Sequence, residues 1–507
     1  MSIIDLISGG RDDQPAIVAP DRTPLSYAGL RSQCGTVAAQ LRGHGLGAND
    51  RVAIVLPNGA EMASVFVALA SAVACAPLNP GYTQAELEFY LSDIKAKAVV
   101  LAGGEDSPAR TVAARLKIPI IELSTIGNDA GRFDLDFGSM SDHRNAAVST
   151  EKDVALILHT SGTTSRPKIV PLVQANLCAS ALNIQRTLDL TSGDRCLNVM
   201  PLFHIHGLIA AVLSSLAAGG SIICTPGFNA LKFFSWIEST QPTWYTAVPT
   251  MHQAILDRVS RNQAIASTAD LRFIRSSSSS LPSPVMQQLE SAFSCPVVES
   301  YGMTEAAHQM TSNLLPPGAR KAGSVGAAAG PEVRLMDEAG CFVEQGRQGE
   351  IVIRGENVTA GYEANDSANA SAFVVDPNGG GTWFRTGDQG VFDADGFLRI
   401  SGRLKEMINR GGEKIAPREV DDVLIDHPAV AQVVTFAVSH AKLGEDVAVA
   451  MVLRDGMTLS QTEAREFASS RLAAFKVPKK IIFLDEIPKG STGKLQRIGL
   501  AKKLGLE

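Results

Sequence analysis

One short stretch constrains both the fold and the chemistry of this chain. The apolar run Val154–Leu158 leads into six residues, Thr160 to Ser165, with side chains no larger than threonine, and Pro167 and Lys168 follow. An apolar run of this length predicts a buried strand. A strand that ends in such a loop can hold backbone N–H groups, hydroxyls and an ammonium group around a phosphate chain. The alternative is a surface turn rich in Ser, Thr and Gly.

Short apolar runs alternate with helical patterns through most of the chain. Strands are predicted at Val52–Leu56, Ala98–Ala102 and Ser221–Cys224, and a buried helix is predicted over Ala60–Ala74. The polar segment Asp129–Thr150 is predicted to be a loop. Strands that alternate with helices in this way predict a layered α/β architecture with a largely parallel sheet.

The sequence pattern changes twice towards the C-terminus. Short β-rich pieces separated by Gly and Asp turns predict a β-rich subdomain at about 323–402. After Arg403, several strands and a helix predicted over Gln461–Ala474 make a unit of ordinary domain size. We therefore predict an α/β fold. A large N-terminal domain (1–402) contains layered αβα subdomains plus the β-rich subdomain, and a small α+β C-terminal domain (403–507) follows.

The bulk composition narrows the class of partners and the cellular location. The 507 residues carry a net charge of −6 and no long run of like charges, which excludes a nucleic-acid footprint. The seven cysteines are scattered without C-x-x-C spacing, which is typical of reduced thiols. There is no signal-peptide pattern, the apolar stretch Met62–Leu78 is too short to span a bilayer, and the C-terminus is not S-K-L. We expect a cytoplasmic protein with no membrane span, either a monomer or a homodimer.

Five motifs occur in a characteristic order along nearly the whole chain: HTSGTTSRPKIV, YGMTE, WFRTGD, GRLKEMINRGGEKI and PKGSTGK. Together they resemble the acyl-activating adenylate-forming superfamily, which includes acyl-CoA synthetases and the adenylation domains of peptide synthetases. The resemblance implies an enzyme that uses ATP, Mg²⁺ and coenzyme A. A small-molecule carboxylate attacks the α-phosphorus of ATP to give acyl-AMP and pyrophosphate, and a thiol, usually that of CoA, then displaces AMP.

The same resemblance implies roles for individual residues. Tyr301 would lie against adenine, Thr304 would touch the α-phosphate, Asp388 would accept the ribose hydroxyls and Glu305 would hold Mg²⁺. The alternative for Thr304 and Glu305 is a helix N-cap followed by a first-turn acid, and that for Asp388 is a turn aspartate. The full set implied to bind ATP or AMP is Thr160, Ser161, Gly162, Thr163, Thr164, Lys168, Tyr301, Gly302, Thr304, Asp388, Arg403, Lys414 and Lys494.

Catalysis and domain movement are implied by motifs near the C-terminus. Lys494 matches the lysine that bridges the carboxylate and the α-phosphate, and it would act in catalysis with Thr304 and His204. Lys405 matches the hinge about which the small, mobile domain swings between the two half-reactions. Gly411 and Gly412 would line the CoA tunnel, where Lys414 approaches the nucleotide in the thioester-forming conformation.

The wording of these motifs also bears on the acid. Ser165 and Ile169 replace glycines that are common in the superfamily, and His159 stands where tyrosine is frequent. With the run of five serines from 276 to 280 and the MTEAAHQMTSN stretch, this wording is similar to the subgroup that includes oxalate–CoA ligases of plants and fungi. We therefore expect oxalate as the substrate.

Four side chains are candidates for the acid site. A second carboxylate needs hydrogen-bond donors, because a buried unpaired charge costs several kcal/mol. The residues that could contact the acid are His204, Ser278, Ser279 and His308, whereas His206 is interpreted as structural packing. Malonate, another short-chain or aromatic acid, and a carrier-protein thiol in place of CoA remain alternatives.

Overall fold

A computed structural model of the chain describes residues 1–140, 146–160, 167–490 and 495–506. Its strands, in chain order, are β1 (Pro15–Val18), β2 (Leu25–Ser26), β3 (Arg51–Val55), β4 (Ala74–Pro77), β5 (Ala98–Ala102), β6 (Ile120–Thr125), β7 (Phe133–Asp136), β8 (Val154–His159), β9 (Ile169–Val173), β10 (Arg195–Asn198), β11 (Ser221–Cys224), β12 (Trp244–Ala247), β13 (Phe273–Ser276), β14 (Val297–Met303), β15 (His308–Ser312), β16 (Ala327–Ala328), β17 (Glu332–Met336), β18 (Gly349–Arg354), β19 (Phe373–Val375), β20 (Thr382–Phe392), β21 (Leu398–Arg403), β22 (Ile408–Arg410), β23 (Glu413–Ile415), β24 (Val430–His440), β25 (Gly444–Leu453) and β26 (Lys480–Phe483).

The helices are α1 (Ile3–Leu6), α2 (Tyr27–Gly43), α3 (Ala60–Ala70), α4 (Gln84–Asp93), α5 (Pro108–Leu116), α6 (Gln174–Thr187), α7 (Ser214–Ala217), α8 (Phe233–Thr240), α9 (Pro249–Leu256), α10 (Gln263–Thr268), α11 (Ser283–Phe293), α12 (Asp366–Ala372), α13 (Pro417–Ile425), α14 (Gln461–Ser469) and α15 (Leu500–Lys503). A π-helical segment, His206–Leu213, runs directly into α7. None of the helices in the described ranges has the length and apolar character that crossing a bilayer requires.

Two large sheets form the N-terminal part of the molecule. A nine-stranded sheet has the order β16-β15-β14-β13-β12-β10-β11-β1-β2, and a seven-stranded sheet has the order β7-β6-β5-β3-β4-β8-β9. The inner pairings of both sheets are parallel, and antiparallel strands flank them. These sheets confirm the predicted layered α/β architecture of the large N-terminal part.

Helix α3 lies between the two sheets and joins their cores. It contacts β1 and β11 of the nine-stranded sheet as well as β4 and β8 of the seven-stranded sheet. Ten of its eleven residues are buried, from Ala60 to Ala70 with Glu61 as the exception. A helix that is apolar around its whole circumference is stable only when it is covered on every side. This explains why the apolar stretch around Met62 is a core helix.

Two smaller five-stranded sheets complete the fold. One is antiparallel, with the order β17-β18-β20-β19 and β21 paired to β20, and it corresponds to the predicted β-rich subdomain. The other has the order β23-β22-β25-β24 with β26 parallel to β25, and α13 and α14 accompany it. This arrangement confirms a small α+β unit at the C-terminus. The exact boundary at residues 402 and 403 stays a prediction.

Local predictions differ from the structure at three places. The segment Asp129–Thr150, predicted to be a loop, contains β7, which pairs antiparallel with β6. The helix predicted to reach Ala74 ends at Ala70, because Ala74 begins β4 between β3 and β8. Hydrophobic periodicity does not separate a buried helix from a buried strand that follows it. Helix α14 likewise ends at Ser469, five residues earlier than predicted.

Gly326 sits where the nine-stranded sheet meets the β-rich sheet. Its backbone has a φ of +83°, and a Cβ at this position would lie 1.9 Å from the carbonyl carbon of Ser312. The amide of Val325 donates to the carbonyl of Leu398, and the amide of Leu398 donates back to the carbonyl of Gly326. Glycine is therefore required by both conformation and space.

We predict that Gly326→Ala lowers the free energy of unfolding by more than about 1 kcal/mol, because it adds a strained backbone to a steric clash. Urea unfolding monitored by tryptophan fluorescence measures this change. Gly35→Ala is the matched control, since Gly35 lies in α2 and a Cβ there meets nothing within 4 Å. The control should unfold at the same or a higher urea concentration. An unchanged midpoint for Gly326→Ala would contradict the packing described here.

Candidate active site

The candidate residues gather where strands of the two large sheets end. The hairpin β8–β9 belongs to one sheet, and the ends of β13 and β14 belong to the other. Carboxyl ends of parallel strands form the crevice in which open α/β sheets bind ligands. The β20–β21 hairpin of the β-rich sheet adds Asp388 and Arg403, which are directly paired across the two strands.

The β8–β9 hairpin holds the first predicted residues in place. The Thr160 amide donates to the Lys168 carbonyl at 3.0 Å, and the Lys168 amide donates to Thr160 Oγ1 at 3.4 Å. The ring Nε2 of His159, at the end of β8, lies at hydrogen-bond distance from Asp93 Oδ2 of α4, 3.0 Å away. The predicted contacts Ser161, Gly162, Thr163 and Thr164, and the predicted catalytic residue Lys494, lie outside the described residues.

A tight turn between β14 and β15 carries most of the YGMTE motif. A Cβ on Gly302 would lie 1.7 Å from the carbonyl oxygen of His308, so only glycine fits. The 3₁₀ turn Thr304–Ala306 follows β14, and its N-terminal cap is Met303 without a side-chain hydrogen bond. The alternative that Thr304 caps a helix is therefore wrong. The turn leaves Thr304 half-buried and Glu305 buried.

Tyr301, Asp388 and Arg403 form one hydrogen-bonded group. The Tyr301 hydroxyl donates to Asp388 Oδ2 at 2.5 Å, and Arg403 Nε donates to Asp388 Oδ1 at 2.7 Å. Burial raises the pKa of Tyr301 well above its ordinary value, and the Asp388 carboxylate raises that of Arg403. The tyrosine is therefore neutral and the arginine charged at physiological pH. Asp388 lies within β20 and is 4% exposed, so it is not the turn aspartate considered as its alternative.

Glu305 and Lys168 meet at a third side chain, Tyr362. The Tyr362 hydroxyl donates to Glu305 Oε1 at 2.8 Å, and Lys168 Nζ lies 4.0 Å from the centroid of the Tyr362 ring. Such a cation–π contact stabilises an ammonium group without neutralising it. Sequence reasoning missed Tyr362, because it stands outside all five motifs.

The electrostatics of this group favour a bound anion. Burial, and then repulsion from the ammonium group of Lys405, lowers the pKa of Lys168. Burial raises the pKa of the Glu305 carboxyl, which Tyr362, Arg403 and Lys168 counteract. Lys168 forms no ion pair with a carboxylate in the described part of the chain. The ammonium groups of Lys168 and Lys405 therefore provide positive charge that can bind phosphate oxygens.

A second polar group lies beside the end of β13. His206 is fully buried, with Nδ1 3.0 Å from Ser278 Oγ and Nε2 2.6 Å from Thr246 Oγ1. The rings of His206 and His308 have centroids 5.0 Å apart. His308 closes the same β14–β15 turn that carries Glu305, so the two polar groups are neighbours along the turn. We call His206, Ser278, Thr246 and His308 the histidine–serine cluster.

The structure sorts the acid-site candidates. Ser278 and His308 belong to the histidine–serine cluster, whereas Ser279 is exposed and no hydrogen bond joins its side chain to the cluster. His204 is half-buried, and its Nδ1 accepts a hydrogen bond from the amide of His206. His206, interpreted from sequence as packing, is the cluster's centre. Its place at the start of a π-helical segment is a structural signal, since such segments are frequent at functional sites.

The C-terminal candidates lie on the small sheet and just before it. Lys405 is part of a 3₁₀ turn that follows β21, and Gly411 and Gly412, with φ of +62° and +97°, make the turn between β22 and β23. Lys414 is exposed and its Nζ lies 3.4 Å from the exposed carboxylate of Glu338. In this conformation Lys414 is thus not part of the buried groups around Asp388 and Glu305.

Comparison with known proteins identifies the family. Residues 8–363 match the model described as AMP-binding enzyme, and residues 419–494 match the AMP-binding enzyme C-terminal domain. An oxalate–CoA ligase from Arabidopsis thaliana is 43% identical over 96% of this chain and 94% of its own length. An oxalate–CoA ligase from Saccharomyces cerevisiae is 40% identical over 97% and 94%.

A solved structure gives the same result. The chain superposes on ATP-bound MatB from Rhodopseudomonas palustris with a TM-score of 0.87 and 29% identity, covering 100% of this chain and 98% of that one. The two family models match separate parts of the chain, and together they extend over most of its length. The chain therefore belongs to the AMP-binding enzyme family and is an AMP-forming acid–CoA ligase.

Proposed function

We propose that this ligase activates oxalate. Oxalate and ATP would give oxalyl-AMP and pyrophosphate, and the CoA thiol would then displace AMP to give oxalyl-CoA. The main support is the polar lining of the histidine–serine cluster, where a long-chain acid would need an apolar tunnel. A small dicarboxylate keeps a second charge that needs donors around it. The two relatives named oxalate–CoA ligase support the same substrate.

The nucleotide is proposed to occupy the groups around Asp388 and Lys168. Tyr301 would face adenine, Asp388 would accept the ribose hydroxyls, and Arg403 would hold Asp388 in the orientation seen here. Lys168, with Thr160 and the loop between them, would bind the phosphates that leave as pyrophosphate. Thr304 would contact the α-phosphate, which is where Lys494 would stabilise the charge that develops during attack.

Glu305 fits the proposed Mg²⁺ ligand. It is a buried carboxylate, a hard oxygen donor, beside a lysine proposed to bind phosphate. Mg²⁺ in nucleotide sites is usually held by one or two carboxylates together with phosphate oxygens. When bound, the ion would neutralise charge on the leaving pyrophosphate. The chain's own contribution is Tyr362, whose hydroxyl orients the Glu305 carboxylate.

The second half-reaction is proposed to use the C-terminal domain (403–507). Rotation of the C-terminal domain about Lys405 would bring the Gly411–Gly412 loop beside the nucleotide, where backbone without side chains can line a path for CoA. The same rotation would move Lys414 from Glu338 to the nucleotide. His204, beside the histidine–serine cluster, would control access to the reacting carboxyl group.

The state of the cysteines supports the proposed cytoplasmic location. All seven are unpaired, and six of them are buried. Burial raises the pKa of Cys34 and that of Cys178 to about 12, so these thiols stay protonated and unreactive at neutral pH. Proteins of oxidising compartments more often pair their cysteines.

The central test is pyrophosphate release with a panel of acids, with and without CoA. Oxalate should give the highest kcat/KM, and AMP release from oxalyl-AMP should require CoA. Malonate, succinate, acetate, benzoate and a long-chain acid complete the panel. Faster turnover of a long-chain or aromatic acid would overturn the oxalate proposal. If AMP is released only when a carrier-protein thiol is supplied, that thiol is the acceptor in place of CoA.

We predict that Lys494→Ala slows oxalyl-AMP formation by about 10²–10³, the usual effect of removing one donor to developing charge. Thioester formation from preformed oxalyl-AMP and CoA should be largely preserved, because that step follows the attack on phosphorus. Lys489→Ala is the control, since Lys489 pairs on the surface with Glu486. Normal adenylation by Lys494→Ala would remove the assignment.

We predict that Glu305→Gln raises the Mg²⁺ concentration needed for half-maximal pyrophosphate release by about tenfold or more, because an amide is a weaker ligand than a carboxylate. A titration of MgCl₂ at saturating ATP and oxalate measures this change. Glu238→Gln, an exposed substitution on α8, is the control. Equal Mg²⁺ requirements for the wild type and Glu305→Gln would contradict the proposed role.

A further inference from the structure

Arg275 is a fully buried cation without a carboxylate partner. It lies on β13, between Thr246 of β12 and Val298 of β14, and its side chain is 0% exposed. No carboxylate in the described ranges lies within ion-pair distance of its guanidinium group. Its Nη2 donates to Gln309 Oε1 at 3.3 Å, and its Nη1 lies 3.5 Å from His206 Nε2.

A buried arginine without a counter-ion lowers the free energy of unfolding, so we expect its charge to have a function. Burying an ion without a counter-ion costs several kcal/mol, and replacement by an apolar residue of similar size is often neutral or stabilising. Burial lowers the pKa of Arg275 to about 9, so the guanidinium still carries its charge at neutral pH. The position of this charge, directly behind the histidine–serine cluster, indicates a role in that cluster.

The donor and acceptor chemistry around His206 follows from Arg275. A guanidinium group has only donors, so His206 Nε2, which faces it, acts as the acceptor. The Thr246 hydroxyl, 2.6 Å from the same nitrogen, can also donate to it. The positive charge also opposes a proton on Nε2. His206 is therefore neutral, with its proton on Nδ1.

This tautomer sets the direction of the next hydrogen bond. His206 Nδ1–H donates to Ser278 Oγ at 3.0 Å. Ser278 then accepts through its oxygen, which leaves its own hydroxyl hydrogen to donate to another group. A hydroxyl that is held as a donor is suited to a carboxylate oxygen, which can only accept.

We propose that Arg275 is a positioning residue that holds His206 in the Nδ1–H tautomer, so that Ser278 presents its hydroxyl hydrogen to the non-reacting carboxylate of a small dicarboxylate substrate. The inference rests on the proposed acid site. It adds Arg275, which acts on that site through His206 and does not contact the substrate. Arg275 is not identifiable from the sequence, because it lies in a short run typical of an ordinary strand, directly before the five serines.

The test is a double-mutant cycle with Arg275→Met, Ser278→Ala and the double variant, measured as pyrophosphate release at saturating ATP and varied oxalate. Arg275→Met should raise the KM for oxalate about 10- to 100-fold, the effect of losing one hydrogen bond to a charged group. The KM for ATP should stay within about twofold, since the nucleotide groups are separate. In the Ser278→Ala background the same substitution should have little further effect.

Several controls separate positioning from stability. Arg275→Lys, which keeps a charged donor, should recover part of the oxalate affinity. Arg272→Met removes a neighbouring, partly exposed arginine that pairs with the buried Asp194, away from the histidine–serine cluster, and it should leave the KM for oxalate unchanged. Thr246→Val removes the other donor to His206 Nε2, and it takes the place of Arg275→Met in the cycle if that variant does not fold.

Two results would overturn the proposal in an enzyme that turns over oxalate. One is an unchanged KM for oxalate in Arg275→Met. The other is an Arg275→Met effect on that KM that is equally large in the wild-type and Ser278→Ala backgrounds. A wild-type enzyme that does not release pyrophosphate with oxalate at all would refute the proposed function instead, so the two failures are distinguishable.

Discussion

The close approach of Gly302 to the carbonyl oxygen of His308 sets the geometry on which the site depends. With 1.7 Å between that oxygen and the position of a Cβ, the strands β14 and β15 can meet only because residue 302 has no side chain. The tight turn holds Thr304 and Glu305 at one end and His308 at the other. The residues proposed to act on the phosphates and the residue proposed to contact the acid therefore lie at the two ends of one tight turn. The backbone geometry of that turn fixes their separation. This is the positioning that an in-line attack on phosphorus requires.

Positive charge without a local counter-ion is the second organising feature. In the described part of the chain neither Lys168 nor Arg275 has a carboxylate partner, although Lys168 is half-buried and Arg275 is fully buried. Many other arginines, such as Arg110 and Arg354, are satisfied by surface carboxylates. Cations placed in this way destabilise the empty protein and stabilise anionic ligands, which is electrostatic preorganisation. An enzyme proposed to bring together a polyphosphate and a dicarboxylate needs such charge.

The small C-terminal sheet is tied to the proposed hinge by Arg497. This half-buried arginine donates to Glu406 at 3.1 Å and to Asp421 at 2.8 Å, and Glu406 is the residue after Lys405. Lys489, the second residue of the PKGSTGK motif, pairs in an isolated bridge with Leu495, which directly follows the motif. If the chain turns at Lys405 as proposed, these contacts would carry that motif along with the sheet. A single rotation would then exchange Lys494 for Lys414 at the nucleotide.

The sequence by itself determined the fold class and the family, and it predicted the residues that are proposed to bind the nucleotide. Alternating apolar runs specify strands and helices locally, and motifs such as YGMTE and RTGD place Tyr301 and Asp388 without knowledge of their contact. Only the tertiary structure showed that Tyr362 hydrogen-bonds to Glu305, that His206 belongs to the histidine–serine cluster and that Arg275 lies beside it. These contacts join residues 57 to 72 positions apart in the sequence. Local sequence governs backbone conformation and burial, whereas such contacts depend on how sheets stack and on which strands become neighbours.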